Sequence, residues 1–305
     1  MRVLLFACLL LASVATHAQP GAVTLSVAAD SATPGVSLSI IRTSASASRE
    51  GMLYAGGDFT RAAQVGFVAF LIRHGRDSLL VDTGLGSAID AQYAEDMPVA
   101  VRPFFYYEKP VRTARAQLAA ARMAMPGAVL LTHAHWDHAS GVTDFPAADI
   151  WVSAAERTYM ADRSAFVGSA WPSQVGAKNI RWRELAFAPV ARDGFAESLD
   201  WWGDGSVVVV PLYGHTPGSV GVLVRVASGK RYFLVGDVVW SAAALAQGSP
   251  KFFAARWLVD HDEARTAQTI EQIRALQRSD PELVVVPAHD GAVHARLGYF
   301  PATVP

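Results

Sequence analysis

Apolar residues in this chain come in short runs separated by glycine, proline and charged residues. Residues 65–73 and 78–82 are two such runs, and His74-Gly75-Arg76-Asp77 between them predicts a hairpin. Further runs at 128–131, 149–152, 180–185, 206–212, 219–226, 232–236 and 283–286 are rich in Val, Leu and Ile. That composition suits pleated, half-buried strands. The alternation Val36-Ser37-Leu38-Ser39-Ile40 predicts an opening edge strand after a Ser/Ala-rich lead. Helical stretches are expected at 111–125, stopped by Pro126-Gly127, and at 154–161. A third is expected at 260–277, where Ala264, Ala267, Ile270, Ile273 and Leu276 fall near helical spacing and Asp260 with Glu263 makes a capping box. Residues 162–205 are less regular and hold Trp171, Trp182, Trp201 and Trp202. Strands thus dominate in two clusters, each with a long helix. Two layered halves follow, sheets packed inside and helices outside.

The chain has 305 residues, 51% hydrophobic and 17% charged, with a net charge of −1. A core is easily built, and the basic stripe that nucleic-acid binding needs is missing. Arg2, the apolar run 3–14 and the small-residue site Thr16-His17-Ala18 predict a secretory signal peptide over 1–18. The competing reading is a buried N-terminal helix. The expectation is an exported, periplasmic protein with no membrane span. The single cysteine, Cys8, lies in the removable segment, which excludes disulfides and thiolate ligands from the mature chain. A lipid anchor at Leu5-Phe6-Ala7-Cys8 would have too short an apolar region before it.

Candidate chemistry centres on Thr132-His133-Ala134-His135-Trp136-Asp137-His138, which follows the apolar run 128–131. Imidazole and carboxylate are ligands for zinc and related divalent ions, and four of them at one strand exit can converge on a point. The same placement recurs at His215, Asp237 and His289, each just after an apolar run. Of nine histidines, His17 leaves with the signal peptide, and five of the remaining eight lie at these positions. Seven donors exceed the four that one tetrahedral ion takes, so two ions are the economical reading. Zinc is the first choice, although manganese, iron and cobalt accept the same donors. Asp82-Thr83-Gly84 could be half of an aspartic-protease pair, for which no second copy exists in the chain, or a simple turn. The aromatics Phe104, Phe105, Tyr106 and Tyr107, with Trp171, Trp240, Phe252 and Phe253, are candidates for an apolar substrate wall or for plain core.

In kind and order, His133-x-His135-x-Asp137-His138, Gly214-His215-Thr216, Gly236-Asp237 and His289 resemble the metallo-β-lactamase-fold hydrolases. The resemblance implies an α+β fold, a four-layer αβ/βα sandwich, occupying 51–305 after a lead and edge strand at 19–50. It also implies a dinuclear centre at one sheet edge. One ion would take His133, His135 and His215, the other Asp137, His138 and His289, with Asp237 bridging. Asp82 would support a ligating imidazole through its other nitrogen. Gly214-His215-Thr216-Pro217-Gly218 and Val286-Pro287-Ala288-His289-Asp290 are most like the N-acyl homoserine lactonase branch. That branch often carries a tyrosine where Trp240 stands, and indole donates one hydrogen bond but cannot trade a proton. The expected reaction is attack of a metal-bridging hydroxide on a lactone or related ester, with Asp137 and Asp237 as catalytic carboxylates. The rivals are a cysteine-free β-lactamase acting on β-lactam amides and a periplasmic protein that only binds metal.

Overall fold

A continuous strand of 14 residues, β1 (Val36–Arg49), pairs antiparallel with β2 (Ala62–His74) along its whole length, from Val36 opposite His74 to Arg49 opposite Ala62. The structure, a computed structural model, describes residues 35–162 and 166–305. The expected signal peptide at 1–18 and the lead up to residue 34 lie outside the described residues. Where a short edge strand was expected at 36–40, β1 runs on through a serine-rich stretch. The reason is that its polar side chains find partners: Thr43 Oγ1 donates to Phe67 O at 2.9 Å and Ser44 Oγ to Glu108 O at 2.6 Å. No structural break falls at residue 51, because β1 and β2 are neighbours in one sheet.

Gly75, at a positive φ of 60°, turns β2 into β3 (Asp77–Val81). Three parallel strands follow, β4 (Ala128–Leu130), β5 (Asp149–Ser153) and β6 (Arg181–Leu185), giving the order β1-β2-β3-β4-β5-β6. The second sheet contains β7 (Leu199–Asp200), β8 (Val207–Pro211), β9 (Val220–Arg225), β10 (Arg231–Leu234) and β11 (Val284–Val286), in the order β11-β10-β9-β8-β7. Leu38, Ile40, Phe70 and Val81 of the first sheet pack against Val209, Val222, Tyr232 and Val286 of the second. On the far side of the second sheet, Ile270, Ile273 and Leu276 of the helix Glu263–Ser279 cover Val210 and Phe233. On the far side of the first, Ala114 and Leu118 of the helix Ala114–Ala120 cover Leu71, Leu80 and Val129. Four layers result, helix, sheet, sheet, helix, as expected. Among the described residues, no helix is long and apolar enough to cross a membrane.

The helices differ in their ends. The stretch 111–125 is helical only at Ala114–Ala120, capped by Thr113, whose hydroxyl accepts from Ala116 N. The long helix begins at Glu263, and its cap is Asp262, which accepts from Arg265 N at 2.9 Å. Asp260, expected as that cap, instead ends a helix the pattern did not show, Phe253–Val259, and its carboxylate turns inward.

The helix Gly291–Leu297 buries His294, whose Nε2–H donates to Pro287 O at 2.9 Å and so anchors the turn carrying His289. Burial pulls this imidazole down from 6.5 to about 4. Between those values only the unfolded chain takes the proton. Stability is therefore lost as pH falls through that window, by up to ~3 kcal/mol. His294→Gln keeps a donor and removes the titration, so its urea midpoint, measured with chelator present, should vary less from pH 6.5 to 4. An unchanged slope would reject this account.

Candidate metal centre

Strand ends from both sheets meet at one edge. After β3, Asp82 takes a left-handed backbone (φ 57°), a conformation costing about 1–2 kcal/mol outside glycine. Its hydrogen bonds offset that cost. Its N–H donates to Leu130 O at 2.8 Å, Oδ1 accepts from Thr132 N at 2.7 Å, and Oδ2 accepts from Thr132 Oγ1 and His138 Nδ1, each at 2.9 Å. Thr83 Oγ1 meanwhile donates to His138 O at 2.6 Å. A Cβ on Gly84 would stand 2.5 Å from Thr43 Oγ1, so the glycine is needed for packing as well as for its φ of 58°. Asp82-Thr83-Gly84 is thus a brace for the segment after β4, and among the described residues no second carboxylate pairs with Asp82 in the manner of a protease.

That segment presents His133 and His135, then the short helix Trp136–Ala139 presents Asp137 and His138. From the second sheet, His215 follows β8, Asp237 follows β10 and His289 follows β11. Gly214 allows the close approach behind His215, since a Cβ there would lie 2.4 Å from Thr266 N. All seven side chains are buried, and potential donor atoms fall into three groups: His133 with His135 and His215, His133 with His138 and Asp237, and Asp137 with His138 and His289.

Proton bookkeeping shows which nitrogens face the centre. Carboxylates and carbonyls only accept, so three imidazoles carry their hydrogen on Nδ1. His138 donates to Asp82, His215 donates to Asp260 Oδ1 at 2.7 Å, and His289 donates to Gly66 O at 2.8 Å. Thr132 gives its proton to Asp82, so its oxygen, 3.1 Å from His133 Nδ1, accepts there too. Tyr159 donates to Gly168 O and can accept from His135 Nε2 at 3.3 Å, leaving Nδ1 of His135 open. The consequence is a set of lone pairs aimed at one another. His133 Nε2 and His215 Nε2 stand 3.1 Å apart. A tetrahedral ion with bonds of 2.0–2.1 Å separates its nitrogens by about 3.3 Å. Buried His138 Nε2 and Asp237 Oδ1, 3.2 Å apart, have no hydrogen-bond partner. Such a pairing of acceptors is resolved by cations, and the donor set fits two divalent ions.

Electrostatics divides the site. Burial first, then neighbouring imidazoles, holds His133 and His135 well below 6.5, and burial with Lys251 lowers His215. These three are neutral, as ligands must be. Burial also works against a charge on His138 and His289, but the carboxylates of Asp237, Asp82 and Asp137 outweigh it at His138 and raise it well above 6.5. Asp237 and Asp137 take His289 to about 10. Burial pushes Asp237 up, yet His289 and His138 hold it well below the usual carboxylate range. Positive charge is favoured at this end, where protons and divalent cations compete for the same lone pairs.

A cavity of about 390 Å³ opens over the centre. His135, Asp137, Asp237 and His289 form its polar floor, and Phe67, Val101, Phe104, Phe105, Tyr106, Trp240, Phe252 and Leu258 are among its walls. Tyr107 stays off the wall: its hydroxyl donates to Asp90 and its ring meets Tyr93 edge-on. Trp171 is buried behind Trp136, ring centres 5.4 Å apart, and Phe253 faces outward with 65% exposure. Trp240 gives its one donor to Asp237 Oδ2 at 2.9 Å. Trp240→Phe keeps the wall and removes that donor. It should release metal to a chelator about 10-fold more readily, the low end for an outer partner of a ligand; unaltered competition would disprove the role.

Three buried side chains behind the centre belong to no ligand motif in the sequence. Glu156 accepts from Ala134 N at 2.7 Å and Thr216 Oγ1 at 2.6 Å, tying the His133–His135 segment to the His215 turn. Burial raises its carboxyl to about 7. The others are Asp260 and Lys251, which lie behind His215. Only a polar residue breaking the buried face of the helix Ala154–Tyr159 could have hinted at Glu156, and nothing in the spacing marks Lys251.

Comparison with known proteins agrees with this geometry. The family model of the metallo-beta-lactamase superfamily matches residues 68–289. A probable metallo-hydrolase of Mycobacterium tuberculosis is 30% identical over 234 residues, 70% of each chain. An N-acyl homoserine lactonase of Agrobacterium fabrum is 25% identical over 173 residues, 53% of this chain and 57% of its own. Among solved structures, an N-acyl homoserine lactone hydrolase with N-hexanoyl-L-homoserine at its catalytic metal centre superposes with a TM-score of 0.66 at 14% identity, covering 89% of this chain and 100% of that one. A dizinc quorum-quenching lactonase in complex with its product gives 0.58 at 17% identity, covering 84% and 87%.

Proposed function

The chain belongs to the metallo-beta-lactamase superfamily and is a metal-dependent hydrolase, and from that premise we propose that its substrates are lactones, or closely related esters, bearing an apolar chain. The observation that carries this reading is the cavity: an aromatic and aliphatic wall that ends on a floor of imidazoles and carboxylates. An amphiphile with one hydrolysable carbonyl matches that division. The similar structures that hold acyl-homoserine products support the same class.

His133, His135 and His215 would hold one ion and Asp137, His138 and His289 the other. Asp237 would serve both, its Oδ1 lying 3.2 Å from His138 Nε2 of one set and its Oδ2 3.8 Å from His215 Nε2 of the other. Two divalent ions, zinc in this proposal, supply positive charge that brings the pKa of coordinated water toward neutrality and polarises an ester carbonyl. The chain does the rest. The walls exclude bulk water and direct the apolar chain away from the floor. Asp137 lines the cavity with Oδ2 at 3.2 Å from His289 Nε2, placed to carry a proton toward the leaving alkoxide. Trp240 stands where a substrate-contacting tyrosine is common in the lactonase branch, but its N–H is committed to Asp237. Selectivity then rests on shape and apolar contact.

Metal analysis of the purified protein with a panel of acyl lactones, nitrocefin, thioesters and phosphodiesters tests the reading. About two ions per chain and a preference for lactones are expected. Faster nitrocefin turnover would transfer the assignment to β-lactams, and a full metal load without turnover would leave a binding protein. Export is also proposed, on the strength of the apolar run 3–14 and Thr16-His17-Ala18. N-terminal sequencing of periplasmic protein should begin at Gln19; an intact Met1 would refute it.

A further inference from the structure

Lys251 is the only buried lysine or arginine among the described residues, at 1% exposure. Its Nζ lies 2.7 Å from Asp260 Oδ1, 3.3 Å from Val238 O and 3.4 Å from His215 Nδ1, and 5.7 Å from the centre of the Trp240 ring. A cation enclosed this fully survives only with a partner, and Asp260, whose side chain is 2% exposed, is that partner. One oxygen, Asp260 Oδ1, therefore accepts from both Lys251 and His215. Without the lysine, a buried carboxylate would have a single neutral donor and every reason to turn or leave. His215 would then be free to carry its hydrogen on Nε2, pointing it at His133 Nε2 only 3.1 Å away.

We propose that Lys251 is a positioning residue that pins Asp260 against His215 and so locks the Nδ1–H tautomer, keeping the Nε2 lone pair of His215 aimed at the centre before any ion arrives. The inference rests on the metal-centre reading for its purpose, though not for its geometry. It also explains why a lysine is tolerated behind a cation site: its charge is spent on Asp260, on the far side of the His215 ring from Nε2.

The test is long-range proton–nitrogen NMR of histidine-labelled, chelator-treated protein, paired with zinc competition on the loaded protein. The wild type should show His215 as Nδ1–H. Lys251→Met should show a mixed or Nε2–H state and bind zinc about 10-fold more weakly, the scale for losing an outer support of a ligand. Lys251→Arg should restore the tautomer. If Lys251→Met does not fold, Lys251→Gln, which leaves Asp260 in place with only a neutral neighbour, should show the same loss of the lock in smaller measure. An Nε2–H His215 in the wild type, or a wild-type tautomer and zinc affinity in whichever variant folds, overturns the proposal. A wild type that binds no zinc would sink the metal reading, while the tautomer comparison would still judge Lys251.

Discussion

His133→Ala is expected to abolish hydrolysis and strip the protein of metal while leaving its fold intact. His133 belongs to two of the three donor groups, one with His135 and His215 and one with His138 and Asp237. Removing it deprives both ion positions of a neighbour at once. Even a partner one step behind a ligand is worth 10–100-fold in affinity or activity, so a loss beyond about 100-fold is expected for a ligand itself. The side chain sits in the segment after β4 and contributes little to the apolar layers, so the circular dichroism and the cooperativity of melting should persist. Metal content and kcat/KM, measured on the same preparation, decide the matter. A variant that keeps most of its turnover would remove the centre from the mechanism.

Acyl-chain length should change catalytic efficiency almost as strongly. Each methylene buried is worth about 0.8 kcal/mol, or about 4-fold. Lengthening a lactone side chain by four methylenes should then raise kcat/KM by roughly 200-fold while the cavity has room. The wall that would bury it includes Met52, Phe104, Phe105, Ala254, Ala255 and Leu258. Ala255→Phe fills part of that space and should move the optimum to shorter chains. A flat profile in the wild type would mean that the apolar wall does not hold the substrate.

Much of this architecture was readable before folding was considered. Short Val- and Leu-rich runs announce strands because β-branched side chains suit a pleated surface, and all but the two-residue β7 lie within or across a run picked out by composition. The motif residues are conspicuous because imidazoles and carboxylates are rare right after buried apolar runs. The helix cap was misplaced by two residues for a physical reason. Asp260 and Asp262 are both plausible caps by composition, and only the backbone of Phe253–Val259, ending at Asp260, gives the cap to Asp262.

What the sequence by itself determined was the kinds of donor and the strand ends that carry them. What only the tertiary structure decided was which atom each donor faces. Asp82 and His138 are 56 positions apart, His215 and Asp260 45, and Gly66 and His289 223. Hydrophobic periodicity reports which face of an element is buried, and it carries no information about the polar atom standing opposite in another element. The direction of the Trp240 indole, the bridge made by Glu156 and the burial of Lys251 are all of that second kind. Each depends on the two sheets closing over one edge, where a buried polar group must find its partner or pay the full cost of leaving water.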